Sequence, residues 1–310
     1  MPEVPLEKSF LVQKFAKLTL GSIHVIGYSV AGEESVVQVP ELDVCFDIGR
    51  APHFALTSNI VCLTHGHMDH LAGLAYYLSQ RSFQGMNPGT VVLPRELERP
   101  VEGLLRSWRE VERQNTPYHL VPLSPDETYE MRRDFVIRCF ATHHGGASLG
   151  YSLISVREKL KAEYMGTPGP ELAAMRKRGV AIQYRIEVPL VVFLGDTTFG
   201  PVFEHPDVKA AQVLITECTF YEGDHKAKAK AGRHLHVEQF AEWAAGSTNQ
   251  EIVLIHVSRR TGVGRARNIL RRKLGEEKMK RLHFLMDFED AIDGGDIDSV
   301  SPVQTSDAGE

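Results

Sequence analysis

No run in this chain approaches the roughly 18–20 unbroken apolar residues that a membrane-spanning helix requires. Nothing repeats at a period of about 20–50 residues either, which excludes solenoids and propellers. Cysteine is scarce: Cys45, Cys62, Cys139 and Cys218 lie far apart, three of them inside apolar, strand-like runs. That spacing fits buried thiols in a reducing compartment better than a disulfide framework or a cysteine-rich metal site. Met1-Pro2-Glu3-Val4 lacks the basic-then-apolar pattern of a secretion signal, so a cytoplasmic, or a nuclear, protein is expected. Strong positive charge is also missing. A formal charge of −5 argues against coating of nucleic acid over the whole surface and leaves a local basic patch open.

What the chain does have is length, apolar content and histidine. With 310 residues, 43% of them apolar, it can bury a large core. Short runs rich in β-branched residues predict strands at Ile23–Val30, Ser35–Val39, Val44–Ile48, Ile60–Leu63, Thr90–Leu93, Phe135–Ala141, Tyr151–Val156, Leu190–Leu194, Gln212–Ile215 and Glu251–Val257. Helical periodicity covers 70–81, 95–113, 171–178, 236–246 and 263–274. Strands interleaved with helices in this way predict an α/β fold, an αββα sandwich with helices on the outer faces of two sheets. We expect one domain over 1–290, interrupted by a polar insertion at about 157–187, and a Gly-, Ser- and Asp-rich acidic tail at 291–310. Too few apolar side chains in that tail offset its ordering entropy, so mobility is expected there.

Fourteen histidines exceed expectation for this length, and several gather with acidic residues. The strongest cluster is Thr64-His65-Gly66-His67-Met68-Asp69-His70-Leu71, directly after the strand Ile60–Leu63 and directly before a helix. Its three imidazoles and one carboxylate are the borderline and hard donors that suit zinc. Three further groups each follow a strand: Thr142-His143-His144-Gly145, Gly195-Asp196-Thr197 and His256.

The pattern H-x-H-x-D-H followed in order by these groups resembles the metallo-β-lactamase superfamily. Within it, Phe46-Asp47-Ile48-Gly49-Arg50, Asp196-Thr197, Glu217-Cys218-Thr219-Phe220, His234-Leu235-His236-Val237-Glu238-Gln239 and Ile255-His256-Val257-Ser258-Arg259 are similar to ribonuclease Z. The likeness runs from about residue 20 to 285 and is to the short, plant-type form, which Glu163-Tyr164-Met165-Gly166 also fits. It implies a four-layer αββα fold and a dinuclear centre of two divalent ions, zinc first, with manganese or iron as alternatives. His65, His67 and His144 would hold one ion, Asp69, His70 and His256 the other, and Asp196 would bridge them. His144 is preferred to His143 because five residues separate it from Gly150-Tyr151, as they do the family's histidine.

The implied reaction is endonucleolytic removal of 3′ trailers from precursor tRNA, with a hydroxide shared by the two ions attacking the phosphate. Asp69 would also orient that hydroxide. His234 would be the proton donor with Glu217 as its partner, His236 the fallback, and Asp47 a brace for the histidine loop. The family is usually dimeric, so a homodimer is expected. Two departures bear on substrate rather than chemistry: Arg50-Ala51-Pro52-His53 replaces the Glu-Gly-Thr-Gln of many bacterial members, and the insertion is shorter than the bacterial arm.

The insertion itself carries seven basic residues, among them Arg157, Lys159, Lys161, Arg176, Lys177 and Arg178, against four acidic ones, a local excess of +3. Phosphate backbones attract such a segment, although a solvated helical hairpin has the same composition. A second basic cluster follows His256: Arg259, Arg260, Arg265, Arg267, Arg271, Arg272 and Lys273. Two other readings share the same motifs: hydrolysis of small phosphodiesters or esters at the same centre, and a metal-stabilised scaffold with little catalysis.

Overall fold

A computed structural model describes residues 15–287; the tail expected at 291–310 lies outside them. Fourteen strands form two seven-stranded sheets. The first contains β1 (Ala16–Leu20), β2 (Ile23–Val30), β3 (Glu34–Val39), β4 (Val44–Phe46), β5 (Ile60–Cys62), β6 (Gly89–Pro94) and β7 (Tyr118–Leu123), adjacent in chain order. The second contains β8 (Thr128–Arg132), β9 (Phe135–Ala141), β10 (Leu149–Leu160), β11 (Gln183–Phe193), β12 (Val213–Glu217), β13 (Glu251–Ile255) and β14 (Leu282–Phe284), also in chain order. Each sheet starts antiparallel and turns parallel at its fourth strand: β4 to β7 run parallel in one, β11 to β14 in the other.

Between the sheets lies an apolar layer in which Phe46 stacks on Phe193 at 4.5 Å between ring centres. Helices cover the outer faces. On the first sheet, α2 (Leu74–Phe83) and α3 (Glu98–Glu112) bury Leu74, Tyr77, Leu78, Val101 and Leu105 against Cys45, Val61 and Val91. On the second, α5 (Pro206–Ala210), α7 (Val237–Gly246) and α8 (Val263–Met279, broken at Gly275) cover Val192, Leu214, Ile252 and Leu254. These four layers are the expected αββα sandwich. The remaining helices are α1 (Met68–Leu71), α4 (Gly169–Lys177) and α6 (Lys226–Gly232).

The helix expected over 70–81 begins in the histidine loop as α1 and restarts as α2 after Gly73. A Cβ at Gly73 would meet the Arg50 and Ala51 backbone at 2.4 Å, so only glycine lets the 49–51 loop lie under the break. The insertion at 157–187 differs from a helical hairpin. β10 and β11 run on as an antiparallel ribbon to Leu160 and Gln183, and only α4 and a short turn cap its tip. None of the helices among the described residues is long and apolar enough to cross a membrane.

Truncating a ring in the central layer should leave a cavity that the two sheets cannot close. Phe193→Ala is expected to lower unfolding free energy by about 3–5 kcal/mol in urea titrations. Combined with Phe46→Ala it should fall short of additivity by about 0.5–1.5 kcal/mol, the part due to ring stacking.

Candidate metal centre

The C-terminal ends of the parallel strands point to one place. β5 leads into the histidine loop at 65–70, β11 into Asp196, β12 into Glu217 and β13 into His256, while the β9–β10 loop supplies His144. Leu149 N–H donates to Thr64 O at 2.9 Å and joins the two sheets at this point. Around Asp196 Oδ2 lie His70 Nε2 and His256 Nε2 at 3.4 Å, His144 Nε2 at 3.8 Å and His65 Nε2 at 3.9 Å. Asp69 Oδ2 stands 3.7 Å from His70 Nε2 and 3.8 Å from His256 Nε2, and His67 Nδ1 lies 3.3 Å from His144 Nε2. All seven sequence-predicted ligands therefore converge.

The outer nitrogen of each buried imidazole is committed, which fixes the ring. Asp47 Oδ2 accepts from His70 Nδ1 at 2.7 Å, and its carboxylate also takes the Thr64 N–H and hydroxyl. With its proton given to Asp47, the Thr64 oxygen accepts from His65 Nδ1 at 2.9 Å. The second sheet repeats the device: the Thr219 hydroxyl donates to Glu217 Oε2 at 2.5 Å and its oxygen accepts from His256 Nδ1 at 3.0 Å. Arg233 O accepts from His144 Nδ1 at 3.1 Å. In every case the Nε2 lone pair faces inward. Backbone placement matters as much. His256 sits at φ +60° with its N–H donating to Ser29 Oγ at 3.1 Å, and Gly195 at φ +61° turns the chain so that Asp196 enters the cluster. A Cβ at Gly195 would strike Thr64 Cγ2 at 2.7 Å.

Electrostatics follow from this crowding. Burial opposes charge on Asp196, yet the facing His256 and His70 rings outweigh it and hold the carboxyl well below the usual range. Burial, helped by the neighbouring His70, pushes the His65 imidazole down to about 2, so its ring stays neutral. Four buried atoms, His65 Nε2, His70 Nε2, His256 Nε2 and Asp196 Oδ1, have no hydrogen-bond partner in the protein. Buried polar atoms are rarely left so. Four aimed at one space, in a set of imidazoles and carboxylates, fit divalent cations. Ligand atoms within 4.8 Å of one another group His65, His67 and His144, then Asp69, His70 and His256, with Asp196 beside His65 and His70.

His234 joins the rim. Its Nδ1 lies 2.9 Å from Glu217 Oε1, and its ring centre is 4.8 Å from that of His144 and 5.1 Å from that of His256. Burial alone would push this ring down, but the Glu217 carboxylate and its hydrogen bond bring it up to about 9. His236 faces away, bonded to Glu222 O at 2.9 Å and capping α7. His143 is exposed, whereas His144 is buried in the cluster. Thr64 and Thr219 stand inside the sequence motifs without a role evident from them, and Ser29 and Arg233 stand outside those motifs. A hydroxyl two residues after a buried Glu, or directly before a ligand, was the available signal for the threonines.

Fold and centre together define the class: residues 50–257 match the Beta-lactamase superfamily domain. Among curated proteins the chain is 38% identical over 244 residues to tRNase Z TRZ2, chloroplastic, of Arabidopsis thaliana, covering 78% of this chain and 69% of the relative. It is 33% identical over 252 residues to tRNase Z TRZ1 of the same plant, 80% and 90% of the two chains. The chain belongs to the ribonuclease Z family. Two solved structures share the fold: metallo-β-lactamase fold protein YhfI of Bacillus subtilis (16% identity, TM-score 0.57, 87% of this chain and 95% of that one) and the short form of human tRNase Z (19% identity, TM-score 0.53, 80% and 94%).

If the hydroxyl of residue 219 holds His256 and Glu217 in place, Thr219→Val should weaken divalent-metal binding by about 10–100-fold. Competition with a chromogenic chelator measures this; affinity equal to that of the parent protein would remove Thr219 from the site.

Proposed function

We propose that the protein is a zinc-dependent endoribonuclease that removes 3′ trailers from precursor tRNA, and that it works as a homodimer in the cytoplasm. The observation that carries the metal reading is the set of inward-facing, unpartnered Nε2 and carboxylate atoms around Asp196. His65, His67 and His144 would hold one ion, Asp69, His70 and His256 the other, with Asp196 between them. Divalent ions at such a site supply Lewis-acid activation and charge stabilisation for phosphodiester hydrolysis. Kinship with the two Arabidopsis tRNase Z proteins supports the substrate.

The chain's own residues then divide the work. Asp47, Thr64, Thr219 and the Arg233 carbonyl keep the rings in register. Asp69, held by the Gly32 N–H at 3.1 Å, orients the attacking water. As the phosphorus–O3′ bond breaks, His234 gives its proton to the ribose 3′-oxygen, and Glu217, bonded to its far nitrogen, steadies the ring. The products are a tRNA with a 3′-hydroxyl and a trailer with a 5′-phosphate.

The basic ribbon at 157–187 would grip the tRNA body. At about 3.3 Å per residue, β10 carries its far end roughly 36 Å from Leu149 at the centre, a reach suited to serving a partner's centre. Exposed apolar side chains on the helices of the first sheet, Tyr76, Phe83, Leu104, Trp108 and Val111, suit burial against a second copy. The four cysteines are free and buried, which suits a reducing compartment.

Zinc-loaded protein incubated with end-labelled precursor tRNA should cut once, at the start of the trailer; hydrolysis confined to bis-p-nitrophenyl phosphate would falsify the substrate. His67→Ala and Asp196→Ala should lose metal and activity together. His234→Ala should keep its metal and slow turnover at least tenfold, within the ~10²–10⁴ that a general acid contributes. Deleting 158–186 should raise KM for precursor tRNA far more than KM for the small diester.

A further inference from the structure

Cations are numerous in this protein, and several of those that follow His256 are already committed. Of the basic residues after His256, Arg259 pairs with Glu33, Arg265 with Glu222 at 2.5 Å, Arg267 with Asp287 and Arg271 with Glu276 at 2.9 Å. Those of the ribbon lie along and beyond the outer part of β10, roughly 26 Å or more from Leu149 at the chain's own centre, at about 3.3 Å per residue. A phosphodiester entering that centre brings several negative charges, so the cations that meet it must lie elsewhere.

α6 and its cap supply them. In Lys226-Ala227-Lys228-Ala229-Lys230-Ala231-Gly232-Arg233 only Ala229 is buried; every other side chain of the segment faces solvent. Lys226 is taken by Glu238 at 2.5 Å. Lys228 and Lys230 have no ion pair among the described residues, and two acids close to them in sequence or fold are already paired, Glu222 with Arg265 and Glu238 with Lys226. Arg233 is placed by a reciprocal clamp. Its Nη1 donates to His144 O at 2.7 Å while its carbonyl accepts from His144 Nδ1 at 3.1 Å. Its guanidinium is exposed at the lip of the imidazole cluster, and its other N–H groups have no carboxylate partner among the described residues.

We propose that Lys228, Lys230 and Arg233 form a cationic rim that binds the RNA phosphates next to the bond cut at this chain's own centre. The inference deepens the proposed function and rests on it. The ribbon and the rim then divide recognition: the ribbon holds the tRNA body at a distance, and the rim holds the single strand where it crosses the metal centre. Arg233 couples the two tasks of the rim, since the backbone that orients a metal ligand also carries the cation.

The double variant Lys228→Ala/Lys230→Ala tests this in the zinc-loaded full chain. Alanine at exposed helical positions favours the helix, so folding is retained. Each cation released from a single-stranded phosphate removes about 0.7 from the salt slope. The double variant should therefore flatten log KM against log salt for precursor tRNA by about 1.4. KM near physiological salt should rise about tenfold at a kcat within about twofold of the parent. Arg271→Ala, which removes a cation paired with Glu276, should leave the slope where it was. Equal KM and slope in the double variant and the parent overturn the rim; so does a loss of slope of about 0.7 in Arg271→Ala, half that of the double variant, since net charge alone would then account for it. Failure of the parent protein to bind or cut precursor tRNA at any salt strikes the proposed function first and takes the rim with it.

Discussion

The rest of the structure depends on one constraint: several imidazoles and two carboxylates must be crowded together with four of their buried atoms left unpaired. Left free, such side chains would rotate to pair, as His70 with Asp196 readily could at 3.4 Å. Committing each outer nitrogen prevents that. Asp47, Thr64, Thr219 and Arg233 O take the four Nδ1 protons, and each bond costs the inner nitrogen its freedom to turn. The energetic burden is large, because buried polar atoms without partners cost about 1–3 kcal/mol apiece. A fold tolerates four of them only if its packed core is extensive or if a cation satisfies them.

The architecture meets this demand by bringing two like halves face to face. Both sheets change from antiparallel to parallel at their fourth strand, and in both a carboxylate follows that strand: Asp47 after β4, Asp196 after β11. In both, a threonine beyond the next strand bridges a carboxylate to a histidine, Thr64 in the first half and Thr219 in the second. The halves then divide the roles. The first carboxylate turns outward to brace a ring, and the second turns inward to the centre. A ligand set drawn from both sheets cannot assemble unless the Phe46–Phe193 layer holds the sheets in register, so packing and chemistry fail together.

Much of this was legible in the sequence. His65, His67, Asp69 and His70 were readable because they are close in sequence, and Asp196 and His256 because each follows a buried apolar run at the end of its strand, Val191–Phe193 and Ile252–Ile255. The central strands of both sheets were readable for the same reason. β7 and β8 were not: Tyr118–Leu123 carries an interior Pro122, and Thr128–Arg132 is an edge strand without a buried face. β14 has only three residues. The extension of β10 and β11 into the ribbon was not legible because residues 157–160 and 183–187 are mostly polar and exposed; backbone pairing orders them, and it leaves no clear hydrophobic period. The internal likeness of the two halves was invisible as well, since it lies in strand order and in two short contacts rather than in repeated residues. Availability of charge could not be read at all. Composition counts Arg259 and Lys230 alike, and only the fold shows that Glu33 has claimed the first.

Strain at the centre points the same way. Asp47 and His256 both adopt φ near +55°, at +52° and +60°, where residues other than glycine lie only at a cost of order 1–3 kcal/mol. Each is held there by a bond from its own N–H: Asp47 to Cys62 O at 2.9 Å, His256 to Ser29 Oγ at 3.1 Å. Ser29 belongs to β2 and bonds Ser35 at 2.8 Å, so a hairpin of the first sheet fixes the last ligand, which arrives from the second. That hairpin lies outside residues 50–257, the span that matches the superfamily domain. The N-terminal strands are thus part of the centre's construction: the Ser29 hydroxyl holds the backbone of residue 256 in its left-handed conformation, and Thr219 holds its ring.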